Sequence, residues 1–167
     1  MSKKRGDQLL YSVLEELNIE YKYQEHPEAP TADDAIQYWS ELNSTHCKNI
    51  FFRNHKGNRH YLVVLKAERM LNIKDLEQRL KQGKLSFASE KRLDKYLGLK
   101  PGSVSVFGLV HDKDSHVYIF FDKALENAEY LTFHPNVNNA AIVISRNDMI
   151  RFLNYTGNAY EFINMYD

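Results

Sequence analysis

The stretch KNIFFRNHKGNRHYLVVLK, residues 48–66, decides the architecture of this chain. Its two ends, residues 48–54 and 60–66, are apolar and aromatic runs of strand length, and residues 55–58 between them are polar and include a glycine. Two runs rich in Ile, Val and Phe on either side of such a segment are typical of a β-hairpin. The stretch therefore predicts two adjacent antiparallel strands near the middle of the chain.

Helix and strand patterns follow one another irregularly on both sides of this hairpin. Apolar residues at helical spacing, with capping residues at their ends, predict helices over residues 7–17, 31–42, 72–80, 90–97 and 146–155. Short apolar runs predict further strands over residues 19–26, 116–122, 129–135 and 140–145. Because the strands come in adjacent groups between helices, we expect an α+β class with a mixed sheet, in a single domain of residues 1–167.

The overall charge argues against a nonspecific nucleic-acid binder. Lys plus Arg and Asp plus Glu both number 22, so the formal net charge is zero, whereas such binders normally carry a basic excess. The charge is uneven, however, since residues 74–100 hold eight basic and four acidic side chains. This region either meets a phosphate backbone locally or is an ordinary solvated helical face.

Targeting and redox signals point to the cytoplasm. The chain has no apolar run of membrane-spanning length, and no apolar segment follows its basic first residues. A single cysteine forms no internal disulfide, which fits a reducing compartment. We therefore expect a cytoplasmic protein with no membrane association.

Cys47 is the only cysteine, and its neighbours do not make it a nucleophile or a metal ligand. His46 is the adjacent residue, and adjacent side chains of a strand point to opposite faces, so His46 is badly placed to activate the thiol. The seven histidines show no HExxH pattern and no cysteine pair, and no phosphate-binding glycine motif occurs. We expect Cys47 to be a small buried apolar group, and we expect neither a metal nor a cofactor.

Two short segments could carry chemistry. LGLKPGSV, residues 97–104, is a constrained turn whose backbone N–H groups could point at one acceptor, as in an oxyanion hole. TFHPNVNN, residues 132–139, places a histidine and three asparagines where a predicted strand ends, which is a common position for substrate contacts. By itself the first segment is more readily explained as a structural turn, whereas the second is equally consistent with substrate contacts and with a capped turn that carries a surface histidine.

Taken together and in order, three motifs resemble a known family. KNIF (48–51), GLKPGSVSVFGL (98–109) and FHPNVNNAAIVIS (133–145) resemble the YbaK/prolyl-tRNA-synthetase-associated editing domains. Within that superfamily they are most similar to the freestanding ProX/PrdX-type deacylases, which remove alanine from tRNA(Pro). EHPEAPTADDA (25–35) and LSFASEKRLDKYLGLKPGSV (85–104) extend the resemblance to nearly the whole chain. The resemblance implies a mixed, partly barrel-like sheet with packed helices.

The activity that the resemblance implies is hydrolysis, in trans, of the ester between alanine and the 3′-terminal adenosine of mischarged tRNA(Pro). A synthetase pocket shaped for proline excludes the smaller alanine poorly, because missing methylenes are worth only ~1–3 kcal/mol. A second site can admit alanine and exclude proline by size. We hypothesise that a bound water attacks this activated ester without a protein base.

The resemblance also implies catalytic roles for four residues. Lys48 would contact the terminal phosphate or the carbonyl region, and His134 would position the substrate amino group and limit the pocket. The backbone N–H groups of Gly102 and Ser103 would face the developing oxyanion. These roles are expectations that depend on the family match.

Substrate and tRNA contacts are implied for a second group of residues. Asn49 would bind the aminoacyl or ribose group, although Lys48 and Asn49 share a pocket only at a bulge or a strand end. The remaining predicted contacts are Thr31 and Asn138 for the substrate, and Lys91, Arg92 and Lys95 for tRNA.

Alternatives to an Ala-tRNA(Pro) deacylase stay open from the sequence. A Cys-tRNA(Pro) deacylase of the YbaK kind is the nearest alternative within the class, and a non-catalytic module that binds tRNA or a synthetase is the alternative outside it. The expected partner is aminoacyl-tRNA(Pro), and docking on prolyl-tRNA synthetase or an elongation factor is left open.

Overall fold

The computed structural model describes residues 4–29, 31–39 and 42–167, without the side chains of residues 32, 33 and 36. In these ranges the helices are α1 Gln8–Glu16, α2 Ala32–Trp39, α3 Ile73–Leu80, α4 Glu90–Leu97 and α5 Arg146–Thr156. The strands are β1 Lys22–Glu25, β2 Thr45–Asn54, β3 His60–Lys66, β4 Leu85–Phe87, β5 Tyr118–Asp122, β6 Tyr130–Phe133, β7 Ala140–Ser145 and β8 Tyr160–Ile163. Short 3₁₀ helices span Val106–His111 and Lys123–Asn127.

The eight described strands form one mixed sheet. Its order is β1-β7-β6-β2-β3-β5-β8, with β4 paired to β2 outside this path. The predicted hairpin is confirmed, since β2 and β3 pair antiparallel in an unbroken register from Cys47 opposite Lys66 to Arg53 opposite His60. β2 pairs in parallel with β6, and β5 pairs in parallel with both β3 and β8. The α+β class with a mixed sheet is therefore confirmed.

Local capping signals explain where most helices begin. The side chains of Asn72, Ser89 and Ser145 accept backbone N–H groups in the first turns of α3, α4 and α5, as predicted from the sequence. The second helix was predicted to reach about Leu42, but Leu42 is not helical; the described part of α2 spans Ala32–Trp39, and residues 40 and 41 lie outside the described ranges. Strands β4 and β8 were missed altogether.

The two faces of β2 bury their side chains in different apolar clusters. Cys47 and Phe51 belong to the main core, together with Phe107 of the first 3₁₀ helix. Phe52, from the opposite face, belongs to a second cluster that also includes Phe120 of β5. Fully burying such a side chain stabilises the fold by about 1.5–3 kcal/mol, so the central strands are held from both sides.

A third, smaller apolar cluster lies beneath α2. It consists of Ala29, Ala35, Trp39 and Ala141, with Tyr38 and Leu42 packed against it. None of the helices in the described ranges is long and apolar enough to cross a membrane.

Candidate active site: a cleft beside His134 and Trp39

A turn and a loop face each other across a small cleft. α4 ends at Leu97 and is capped by Gly98, and residues 100–103 then form a turn in which the Ser103 amide donates to the Lys100 carbonyl at 3.1 Å. Gly102 has a φ of +86°, which is the conformation a type II turn requires after proline. The loop of residues 136–139 lies opposite, and the cleft between them has a volume of about 330 Å³.

Backbone hydrogen bonds hold the loop side of the cleft against the segment that leads into α2. The Ala29 amide donates to the Asn138 carbonyl at 2.9 Å, and the His26 amide donates to the Asn139 carbonyl at 3.1 Å. Because Ala29 packs in the same cluster as Trp39, the loop wall of the cleft and the apolar cluster beneath α2 are neighbouring parts of one region.

His134 occupies this region in an unusual state. Its ring lies 5.1 Å from the Trp39 ring, centroid to centroid, and the residue is only 8% exposed. Burial, with a further contribution from nearby His26, lowers the pKa of His134 to about 4, although a hydrogen bond with the Ala140 backbone opposes the shift. Its Nδ1 atom is buried and has no hydrogen-bond partner among the described residues. At neutral pH the ring is therefore uncharged, with one buried nitrogen unpaired.

Lys48 and Asn49 point to opposite faces of β2, and the bulge or strand end that a shared pocket would require does not occur at these positions. β2 runs without a bulge at these positions, and successive side chains therefore point to opposite faces. Asn49 points into the fold, where its Oδ1 accepts the Val106 amide at 3.1 Å. Lys48 lies on the other face, where its Nζ donates to the Arg69 carbonyl.

Sheet register places Lys48 on the same face as His134. His46 is opposite Thr132 in the parallel β2–β6 pair, and Lys48 and His134 each follow two residues later. The rings of His46 and His134 both contact Trp39, which confirms that this face is the one beneath α2. Of the predicted catalytic and substrate residues, Lys48 and His134 lie on the α2 face, Ser103 and Asn138 line the cleft, and the half-buried Asn49 lies on the opposite face of β2 from Lys48.

Comparison with known proteins identifies the family. Residues 26–152 match the family described as the aminoacyl-tRNA editing domain. This chain belongs to that family. The editing domain is 37% identical over 158 residues to the prolyl-tRNA editing protein ProX of Acetoanaerobium sticklandii, a match that covers 95% of this chain and 96% of the relative. It is 32% identical over 149 residues to the prolyl-tRNA synthetase associated domain-containing protein 1 of Danio rerio, covering 88% of this chain and 80% of the relative.

A solved structure shows the same fold. A protein described as a candidate trans-editing enzyme for prolyl-tRNA synthetase superposes on the editing domain with a TM-score of 0.72 and 19% identity. The match covers 98% of this chain and 99% of that one. The family resemblance and the fold expected from it are confirmed.

Cys47 of the editing domain is an inert core residue, as predicted. It is 2% exposed and packs in the main core cluster. Burial raises the pKa of its thiol well above the ordinary value, and a buried protonated thiol is a poor nucleophile.

Thr31 begins α2 as the sequence predicts. Its Oγ1 accepts the Asp34 amide at 3.1 Å and donates to the Asp34 carboxylate at 2.8 Å, and Thr31 itself is exposed. The hydroxyl is therefore engaged in the capping motif, and its substrate contact stays a prediction.

The predicted tRNA contacts on α4 differ in their surroundings. Lys91 and Lys95 are exposed. Arg92 instead donates to the Gly57 carbonyl at 2.9 Å and to His60 Nε2 at 3.0 Å, so its guanidinium holds the β2–β3 hairpin. Lys91 and Lys95 remain candidates for phosphate contacts, whereas Arg92 has a structural role.

The sequence did not identify Trp39, whose ring packs against the ring of His134. A signal was present, because Trp39 is the only tryptophan and lies in a predicted amphipathic helix. What the sequence could not supply was its neighbour across the sheet. Among the described residues, no group of three or more His, Cys, Asp or Glu side chains is placed to hold a metal ion.

Proposed function

We propose that this editing domain acts in trans as a deacylase that hydrolyses mischarged Ala-tRNA(Pro) at the 3′-terminal aminoacyl ester. The observation that carries the proposal is the buried, uncharged His134, whose Nδ1 lacks a partner. An unpaired buried polar atom costs about 1–3 kcal/mol, and a ligand that donates a hydrogen bond removes that cost. The ammonium group of an esterified amino acid is such a donor. The similarity to a prolyl-tRNA editing protein supports tRNA(Pro) as the carrier.

We infer that discrimination between alanine and proline depends on the packing around His134. The cleft of about 330 Å³ lies at the lower end of the range for small-molecule sites and has room for either amino acid. Trp39 is 1% exposed and packs against the ring of His134. Inserting extra methylenes into packed surroundings costs about 1–3 kcal/mol. We therefore assign the rejection of proline to the side of the site formed by Trp39 and His134.

We propose that the turn at residues 100–103 donates to the oxyanion through one backbone amide. The Ser103 amide is already used to close the turn, and Pro101 has no amide hydrogen. The Gly102 amide is therefore the donor that we assign to the oxyanion of the tetrahedral intermediate, with the Ser103 hydroxyl in the same cleft as a second candidate. An activated ester needs little further help, so the attacking group we propose is water.

Lys48 must exchange one partner for another to act on the substrate. Its ammonium group now donates to the Arg69 carbonyl, a neutral acceptor. A phosphate of the tRNA 3′ end is a stronger, charged acceptor for the same group. We therefore assign Lys48 to the terminal phosphate.

The test is a deacylation assay with three substrates. The purified protein is incubated with Ala-tRNA(Pro), Cys-tRNA(Pro) and Pro-tRNA(Pro), and loss of each amino acid is followed. Rapid loss of alanine with proline spared supports the proposal. Preferential loss of cysteine supports a YbaK-type deacylase, and binding without turnover supports a non-catalytic module. Absence of both binding and turnover overturns all three.

A pair of histidine variants tests the role of His134 itself. His134→Ala removes the unpaired acceptor and should lower kcat/KM for Ala-tRNA(Pro) by about tenfold or more, which corresponds to ~1.4 kcal/mol of transition-state stabilisation. His55→Ala is the matched control, because His55 is exposed on the β2–β3 turn. Equal activity of the two variants would show that His134 does not contact the substrate.

A further inference from the structure

One carboxylate, that of Asp7, accepts hydrogen bonds from three separate parts of the fold. Its Oδ1 accepts the Leu9 amide at 3.0 Å and so caps α1. Its Oδ2 accepts from His111 Nε2 at 2.5 Å and from Asn136 Nδ2 at 3.0 Å. The side chain of Asp7 is only 18% exposed, so these bonds replace most of its hydration.

The two partners of Oδ2 connect Asp7 to opposite sides of the cleft: Asn136 lines one wall, and His111 packs against Gly98 of the other. Asn136 lies in the loop wall, where it adopts a left-handed φ of +66° and also donates to the Phe107 carbonyl at 3.3 Å. His111 ends the first 3₁₀ helix and packs on Gly98, which belongs to the turn wall. A Cβ atom on Gly98 would lie 3.0 Å from His111 Cδ2, so the contact is tight.

The backbone around Asp7 adds a second attachment to the loop wall. The Asp7 amide donates to the Pro135 carbonyl at 3.2 Å. At the preceding residue, Gly6, a Cβ atom would come within 2.5 Å of that carbonyl oxygen. Residues 6 and 7 therefore sit directly against the segment that follows His134.

The charge of Asp7 strengthens this arrangement. Burial opposes ionisation, but the hydrogen bonds from His111 and Asn136 outweigh it and hold the pKa of Asp7 below its ordinary value. The carboxylate is ionised at neutral pH, and hydrogen bonds to an ionised acceptor are about twice as strong as neutral ones.

We propose that Asp7 and His111 form a latch that fixes the separation of the two cleft walls, which makes both of them positioning residues. The catalytic consequence rests on the function proposed above. The turn wall carries the Gly102 donor, and the loop wall continues from His134. A misplacement of about 1 Å between reacting groups can lower a rate by about 10²-fold. Breaking the latch should therefore lower kcat without removing any group that touches the substrate.

Asp7→Asn should remove the latch while keeping the N-terminal cap of α1. Asparagine caps a helix as well as aspartate does, so α1 keeps its N-terminal hydrogen bond. The second carboxylate oxygen becomes an NH₂ group, which cannot accept from either His111 or Asn136. We expect kcat for Ala-tRNA(Pro) to fall by about 10- to 100-fold, with a smaller change in KM.

Variants of His111 provide the rescue test. His111→Ala should lower kcat to a similar extent, whereas His111→Gln keeps an N–H donor within reach of Asp7 and should recover most of the activity. Asn72→Ala is the control for a lost helix cap, because Asn72 caps α3, which does not line the cleft. It should cost about 1 kcal/mol of stability and leave kcat unchanged.

Hydrogen exchange tests the latch independently of activity. Amides in residues 98–103 and 134–139 should both exchange faster in Asp7→Asn than in the wild type, and neither segment should change in Asn72→Ala. An inactive wild type with this exchange pattern would overturn the proposed function and leave the latch standing. An active wild type whose Asp7→Asn variant shows normal kcat and normal exchange would overturn the latch and leave the function standing.

Discussion

Replacing His134 should change how the stability of the protein depends on pH. Burial lowers the pKa of His134 from the ordinary 6.5 to about 4, so the folded chain keeps this ring neutral where the unfolded chain protonates it. Because the folded pKa is the lower one, the free energy of unfolding falls as pH drops below 6.5 and continues to fall until about 4. Between pH 7 and pH 5 the protonation of this one group should lower the free energy of unfolding by ~2 kcal/mol.

The measurement is urea unfolding at pH 7 and pH 5, followed by the fluorescence of Trp39. In His134→Gln the difference in unfolding free energy between the two pH values should be smaller than in the wild type by ~2 kcal/mol. The carboxylates titrate alike in the wild type and the variant. Their contribution therefore cancels when the pH-dependent changes in unfolding free energy of the two proteins are compared. His55→Gln, which changes an exposed histidine, should keep the wild-type difference.

One result would refute the reasoning. If His134→Gln and His55→Gln show the same pH dependence, then His134 is hydrated or charged in the folded protein. In that case it is not the neutral, unpaired acceptor on which the proposed function depends.

Three further predictions concern single side chains. Cys47→Ala should leave most of the deacylase activity, whereas Lys48→Ala should lower it by about tenfold or more, measured on Ala-tRNA(Pro). Lys91→Glu should weaken tRNA binding and reduce its salt slope by about one; an unchanged slope would mean that Lys91 does not contact a tRNA phosphate. Gly6→Ala should destabilise the fold by about 1–3 kcal/mol in thermal unfolding, and by more than Gly83→Ala, since only Gly6 has a carbonyl oxygen where the Cβ would lie.

Local signals explain why so much of the secondary structure could be predicted. A side-chain cap joins residues two or three apart, as at Asn72 and Ser145, so the sequence contains both partners within one short window. The β2–β3 hairpin is equally local, because its turn and both apolar runs are contiguous. These elements were predicted with bounds close to those observed.

The missed strands lack such local signals. β4 has only three residues, and Phe87 at its end is 61% exposed, so neither length nor burial marks it as a strand. β8 is a partly buried edge strand that pairs with β5, some 40 residues earlier in the chain. Both segments become strands because they form hydrogen bonds with strands that are distant in the sequence, β2 for β4 and β5 for β8.

The sequence by itself determined the residue types, the order of the three motifs and the alternation that separates Lys48 from Asn49. Those features follow from covalent geometry and short-range contacts. Only the tertiary structure decided that Trp39 packs against His134 and that Asp7 joins His111, 104 residues away. The burial of the His134 ring and the sharing of the Asp7 carboxylate both require chain segments that come together only when the sheet has assembled.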